Sequence, residues 1–496
     1  MCLVRSGGAT PGGTSGGAAW GPSPGGRVGT TGAFVLLQQL VDLVARTGAT
    51  DEAGATLPVW AHGGIGQHTV AAAVAGGAIG VVVDTQLALL RGSTLPRALR
   101  SVIASMDGSE TRVVGGHRVY TRPDLWVAGL ATDIPPDEVA AVLQGETLTG
   151  EVAVPVGQDG CLADGYARRW SSVGRAVAGL RAAVDEHLAA AERTRPLAPG
   201  HGVAEDFGTP MPVVQGPMTR VSDTAAFGEE VATAGGMPFL ALALLRGTQV
   251  RELLTETRDR LGDRPWGVGI LGFVPKDLRD EQLEVIRELK PPAAIIAGGR
   301  PSQAAPLEAE GITTYLHVPA PGLLERFLRD GARRFVLEGF ECGGHVGPRS
   351  SFVLWESQVE ALMAFGRLDG VHVLFAGGIH DARSAGMVAA LAGPLVEAGA
   401  RVGVVMGTAY LFTEEIVRAG ATDQSVGDDP RGDHPVLDHR ALPAAGLEGG
   451  GAQVLGRRVA RGCRVGPDHG GLRLRYGGRG DPGGDAQVAW RRGHHR

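Results

Sequence analysis

Lysine is almost missing from this chain: Lys276 and Lys290 are the only two in 496 residues, and the rest of the basic charge is arginine. Aromatic residues make up only 5% of the chain and cysteines number four. The 47 basic side chains are outnumbered by 53 acidic ones, giving a net charge of -6. That balance leaves no concentrated basic surface for nucleic acid or an anionic membrane. Cys2, Cys161, Cys342 and Cys463 have no C-x-x-C spacing, which excludes a zinc knuckle or a disulfide framework and fits a reducing compartment. Long apolar runs are also lacking. The blandest, 69–83, is mostly Ala and Gly and falls short of the roughly 20 residues a bilayer span needs. Residues 1–13 have no apolar core of the secretory-signal kind. A cytoplasmic protein with neither nucleic acid nor membrane as partner is expected.

Glycine, by contrast, is plentiful, with 79 residues, and its placement carries the most information. Glu341-Cys342-Gly343-Gly344-His345-Val346-Gly347 ends the apolar run 334–337 with a tight turn that presents one imidazole. The pattern recurs near the N-terminus, where 25–29 and 34–37 align with 343–347 and 352–355 at one offset of 318. Only the second copy keeps the histidine, and Arg27 stands at its place in the first.

Between 207 and 418 short apolar runs alternate with amphipathic ones, the signature of repeated β-α units on a parallel sheet. Strands are expected at 212–215, 238–241, 267–271, 293–297, 313–317, 334–338, 371–375 and 402–406, with helices such as 250–261, 280–289, 323–330 and 382–391 between them. Eight strands at this spacing predict a closed (β/α)8 TIM barrel; a doubly wound sheet is the alternative. The N-terminal unit, 25–110, repeats only the end of the pattern: 57–65 parallels 371–379 and 80–85 parallels 403–408. It reads as a partial, degenerate copy of the barrel. A helical connector and linker, 111–206, joins the two. Residues 1–24 and 419–496 lose apolar periodicity and read as disordered, the latter as a frame-shifted or truncated tail.

At the mouth of a barrel, on the C-terminal side of its strands, His345 can exchange a proton with a bound ligand. The alternative is a histidine that only bonds a neighbouring loop. Gly377-Gly378-Ile379 and Gly407-Thr408 end the last two strands and present backbone N–H groups, a phosphate site if they act together, or no more than tight β-α turns. Gln215-Gly216-Pro217-Met218 holds Met218 at the first strand's end. Gly267-Val268-Gly269-Ile270-Leu271-Gly272 matches the dinucleotide fingerprint in letters, but lies within an expected strand and leads into Phe273-Val274-Pro275 rather than a helix, so it is read as strand three. Cys342 has no neighbouring activator and reads as packing.

In this order the Gln-Gly-Pro-Met run, the Glu-x-Gly-Gly-His-x-Gly turn and the Ala-Gly-Gly-Ile and Met-Gly-Thr strand ends make 207–418 resemble the nitronate monooxygenase (2-nitropropane dioxygenase-like) family of FMN-dependent barrels. Gly-Pro-Met-Thr-Arg-Val-Ser-Asp looks closest to copies embedded in polyketide or polyunsaturated fatty-acid synthases. The resemblance implies FMN as cofactor, with Met218 supporting the ring, Gly343 and Gly344 approaching it, Gly377, Gly378, Gly407 and Thr408 holding the phosphate, and His345 transferring a proton. It implies a small-molecule or acyl-thioester substrate, and acyl carrier protein or synthase modules as partners. Gly269 and Ile270 stand where monooxygenases of the family usually carry an asparagine, which turns the expectation towards the related NAD(P)H-dependent enoyl-thioester reductases. With Arg27 at the place of the histidine and Asp84 at the place of Gly407, the first copy is expected to be inactive. A flavin-free scaffold module is the rival of another class.

Overall fold

The computed structural model describes residues 25–51 and 54–421, together with the backbone of 2–4 and 18–19. The disorder expected over 1–24 and 419–496 therefore falls mostly outside the described residues. The N-terminal unit contains strands β1 (Cys2–Val4), β2 (Ala18–Ala19), β3 (Gly26–Arg27), β4 (Val59–His62) and β5 (Gly80–Val82), and helices α1 (Ala33–Thr47), α2 (Thr69–Ala75) and α3 (Arg97–Ala104). The pair β4–β5 is parallel and β1 runs antiparallel to β4. The stretch expected as a helical connector instead opens with an antiparallel hairpin, β6 (Thr111–Val114) and β7 (His117–Tyr120), turning at Gly115 and Gly116, both at positive φ. Helices α4 (Pro136–Ala141), α5 (Ala163–Arg169) and α6 (Val173–Thr194) follow. On α6 the buried residues Ala176, Leu180, Ala183, His187 and Ala190 fall at steps of three and four, one helical stripe.

Helix α7 (Val203–Phe207) leads into the barrel, whose strands are β8 (Val213–Gln215), β9 (Met237–Ala241), β10 (Gly267–Leu271), β11 (Ala293–Ala297), β12 (Thr313–His317), β13 (Arg334–Glu338), β14 (His372–Ala376) and β15 (Arg401–Met406). They close in the order β10-β11-β12-β13-β14-β15-β8-β9, all parallel. The helices between them are α8 (Ala225–Thr233), α9 (Gly247–Leu261), α10 (Lys276–Leu289), α11 (Pro301–Ala309), α12 (Pro321–Arg329), α13 (Ser351–Phe365) and α14 (Ala382–Glu397), and α15 (Glu414–Arg418) follows the last strand. The closed barrel is the fold read from the sequence. Runs such as Ala293–Ala297 and His372–Ala376 are buried throughout, as strands covered on both faces require. Val214, Met237, Phe239, Ile295, Tyr315, Val336 and Leu374 fill the interior. The N-terminal end is plugged by α7: Phe207 packs on Tyr315, whose hydroxyl is 2.8 Å from His372 Nδ1.

The repeat is visible in three dimensions. The order α1-β4-α2-β5 reproduces α13-β14-α14-β15, and the two copies meet through equivalent residues. Phe34 and Phe352, equivalent at offset 318, pack with ring centroids 5.4 Å apart. A Cβ on Gly64 would come within 2.8 Å of Phe352 Cβ and Val353 N, while one on Gly378 would come within 2.5 Å of Val35 Cγ2 and 3.1 Å of Phe34 Cδ1. Gly64 and Gly378 are equivalent at offset 314, and Val35 and Val353 at 318, so the contact is reciprocal. The first copy thus sits on the second much as one subunit of a two-fold dimer sits on the other.

Candidate active site

Because side chains alternate along a strand, His317 and Glu338 lie two residues beyond the interior residues Tyr315 and Val336 and face the barrel's upper interior. They form an ion pair, His317 Nδ1 to Glu338 Oε2 at 2.8 Å, with side-chain exposures of 13% and 11%. Burial pulls the His317 imidazole down, but the Glu338 carboxylate outweighs it and the net shift is upward. Cys342 packs with the interior cluster, and burial followed by the nearby Glu338 and Glu341 carboxylates pushes its thiol far up. A thiol so held is protonated and not a nucleophile, as its reading as packing anticipates.

His345 is exposed on the loop after β13, its ring 5.0 Å from that of Phe273 on the loop after β10. Those strands are three apart around the barrel, so the two rings reach towards each other over the mouth. Gly343 and Gly344 are exposed with open space where a Cβ would stand, and Gly344 has φ +91. Glu341, which begins the turn, is directed elsewhere. Its Oε2 accepts from Ser351 N at 2.7 Å and Ser351 Oγ at 2.6 Å, while burial raises its carboxyl to about 7.

Gly377, Gly378, Gly407 and Thr408 are brought together at the ends of the adjacent strands β14 and β15. Their backbone N–H groups donate to no other described residue, and Gly377 is buried. Gly378 and Gly407 are half-buried and Thr408 is exposed, so the four amides form a donor cluster, open on one side, of the kind that binds an anion. Met218 closes the same corner, its Sδ 3.4 Å from the position of a Gly407 Cβ. Neither adjoining helix end adds to this donor set. β15 is followed by a single 3-10 turn, Thr408–Phe412, before the five-residue α15, which contributes little dipole. The N-terminus of α14 is already capped by Asp381, whose carboxylate accepts from Ser384 N at 2.8 Å. What remains for an anion is the four loop amides rather than two helix ends.

The His317–Glu338 pair escaped the sequence reading, although a histidine and a glutamate closing two expected strands was its signal. The described surface clefts, of ≈ 820 and ≈ 670 Å³, lie on the outer helices around His187 and Glu360 and along α9. No residue at the C-terminal end of a barrel strand, where barrels place their chemistry, lines either of them.

Fold and site together define a (β/α)8 barrel with its polar groups gathered at the C-terminal mouth, and in sequence the chain is similar to oxidoreductases. Two curated relatives are both (3aS,4S,5R,7aS)-5-hydroxy-7a-methyl-1-oxo-octahydro-1H-indene-4-carboxyl-CoA dehydrogenases. The one from Rhodococcus jostii strain RHA1 is 32% identical over 216 residues, 43% of this chain and 55% of the relative. The one from Mycobacterium tuberculosis strain H37Rv is 30% identical over 213 residues, 43% and 56%. The chain thus spans about half the length of the curated relatives it matches. No family model matches. Solved structures it resembles include FabK from Thermotoga maritima, at 28% identity and TM-score 0.37 over 43% of this chain and 63% of that one. Another is nitroalkane oxidase from Streptomyces ansochromogenes, at 22% and 0.36 over 43% and 69%.

Proposed function

We propose that this chain is an FMN-dependent oxidoreductase that acts on an acyl thioester at the barrel mouth, with His345 as its proton-transfer residue. The observation that carries the reading is the set of unengaged backbone donors at Gly377, Gly378, Gly407 and Thr408, at the strand ends where barrels bind phosphate. FMN bound there would supply the transfer of an electron pair to or from a substrate carbon. The chain's residues supply position and protons. Met218 supports the ring from the β8 side, and Gly343 and Gly344 leave room for close approach. Phe273 and His345 wall the opening, so that the imidazole exchanges a proton with the carbon that loses or gains electrons. Beneath them the paired His317 and Glu338 present a nearly neutralised polar floor rather than a free charge.

The acyl-CoA named in both relatives' descriptions favours a thioester over an alkyl nitronate. Nitronate oxidation with O2 is the second reading, supported by the motif resemblance. A thioester enzyme of this kind takes its acyl group from coenzyme A or an acyl carrier protein, and the Gly-Pro-Met-Thr-Arg-Val-Ser-Asp run suits a polyketide or fatty-acid synthase module. A flavin-free scaffold is favoured by one feature, the seating of Phe34 and Val35 so close to Gly378 that no side chain fits there.

The test is NADPH oxidation by the purified full chain with crotonyl-CoA, set against O2 uptake with propionate-3-nitronate. Turnover of the thioester alone supports the reading. Turnover of the nitronate alone moves it to the second, and a colourless protein that turns over neither supports the scaffold. His345→Ala keeps the flavin and loses about 10²-fold or more in kcat; unchanged kcat removes His345 from the mechanism.

A further inference from the structure

The degenerate copy has polar groups of its own at the corresponding strand ends. His62 closes β4 and Asp84 follows β5, at the places taken in the full barrel by Ala376 (offset 314) and Gly407 (offset 323). Asp159 joins them from the 3-10 turn Gln158–Leu162. One side-chain ligand atom from each lies within 4.8 Å of the other two, and His62 Nε2 is 3.0 Å from Asp84 Oδ2. Asp159 is completely buried. Its Oδ2 receives only a long bond from Gly64 N, at 3.4 Å, and its Oδ1 has no hydrogen-bond partner. An acceptor this deep without a donor is costly, and the same carboxylate borders an imidazole and a second carboxylate.

We propose that His62, Asp84 and Asp159 form a binding site for one first-row divalent transition cation, with Zn²⁺ as its representative. Zinc takes histidine nitrogen and carboxylate oxygen at about 2.0–2.2 Å, so its tetrahedral ligands stand roughly 3.4 Å apart, and a set already within 4.8 Å closes with small side-chain adjustments. The imidazole selects a transition ion over Mg²⁺ or Ca²⁺, which prefer all-oxygen sites. Asp84, with 40% of its side chain exposed, provides an entry path and leaves a fourth position for water. The chemistry of the donors also suits a cation: two carboxylates and an imidazole converge here, with the buried guanidinium of Arg118 acting on Asp159. The copy has thus replaced a backbone amide corner suited to an anion with a carboxylate corner suited to a metal. A metal held there ties β4, β5 and the 158–162 turn together, three segments of the unit that seats α1 against the barrel.

The test uses the full chain after chelator treatment. Zn²⁺ and Mg²⁺ are titrated by calorimetry and Co²⁺ by visible absorption, in wild type and in the Asp159→Asn and Asp84→Ala variants. Expected are one Zn²⁺ per wild-type chain, an affinity lowered at least about tenfold in both variants, Co²⁺ bands altered by both substitutions, and no saturable Mg²⁺ binding. Zn²⁺ should raise the melting temperature of wild type and not of the variants. If Asp159→Asn does not fold, Asp84→Ala, which removes the partly exposed ligand, decides alone. Zn²⁺ that binds wild type no better than Asp84→Ala, or not at all, overturns the site and leaves a shared proton as the cluster's counter-charge.

Discussion

Replacing Gly378 with alanine tests the seat of the degenerate copy on the barrel. Two costs add at this position. Gly378 has φ +74, and a left-handed conformation costs a residue with a Cβ roughly 1–2 kcal/mol. The new methyl would stand 2.5 Å from Val35 Cγ2 and 3.1 Å from Phe34 Cδ1, and overpacking of this kind costs about 1–3 kcal/mol. The sum is about 2–5 kcal/mol, read as a lower urea midpoint at unchanged slope. Only the steric part depends on α1. Val35→Ala in the Gly378→Ala background should recover about 1–2 kcal/mol of it, a coupling that a double-mutant cycle isolates. Gly64→Ala is the control: its obstacle includes the backbone N of Val353 at 2.8 Å, which no side-chain truncation removes. Gly378→Ala within about 0.5 kcal/mol of wild type, the ordinary range for surface changes, or strict additivity with Val35→Ala, would refute the contact.

Two pH effects follow from buried histidines. Burial, aided by the neighbouring His68, holds His187 down to about 4 from an ordinary 6.5. The folded state therefore resists its protonation, so its contribution is complete above pH 6.5 and is lost as pH falls towards 4; His187→Gln should flatten stability over that window in urea melts at stepped pH. His317 has the opposite sign. Its pKa is raised on folding, so its contribution is complete below pH 6.5 and lost as pH rises through the folded value. Glu338→Gln should move the His317 imidazole downfield-shift titration to lower pH by NMR and remove that alkaline loss, whereas an unmoved titration would separate the pair.

All eight barrel strands were legible because each is short, apolar and bounded by turn residues. Thr313–His317 and Arg334–Glu338 begin and end as the sequence reading has them. The rejected fingerprint at 267–272 is strand β10, as its context indicates. The hairpin at 111–120 was absorbed into a helical connector although Val-Gly-Gly-His carries a turn signal, since its arginines break the apolar alternation. The His317–Glu338 pair joins the ends of two consecutive strands and was missed although both ends were expected, whereas the His62–Asp84–Asp159 cluster draws Asp159 from far along the chain, a contact periodicity does not encode. The reciprocal packing of the copies could be anticipated only as a repeat. That Gly64 and Gly378 each receive the other copy's helix follows from three-dimensional placement, not from spacing.

FMN titration of the purified full chain beside Gly407→Asp tests the central claim most directly. The substitution gives the intact copy the residue the degenerate copy carries at that position, Asp84. A Cβ fits there, at φ −126 and 3.4 Å from Met218 Sδ, so the fold should persist while a carboxylate is set against the phosphate. The account predicts a wild-type protein that quenches FMN fluorescence at one equivalent, and a folded variant whose affinity falls by about a hundredfold, some 2.7 kcal/mol. Equal affinity in the two proteins, or no binding by wild type, contradicts it.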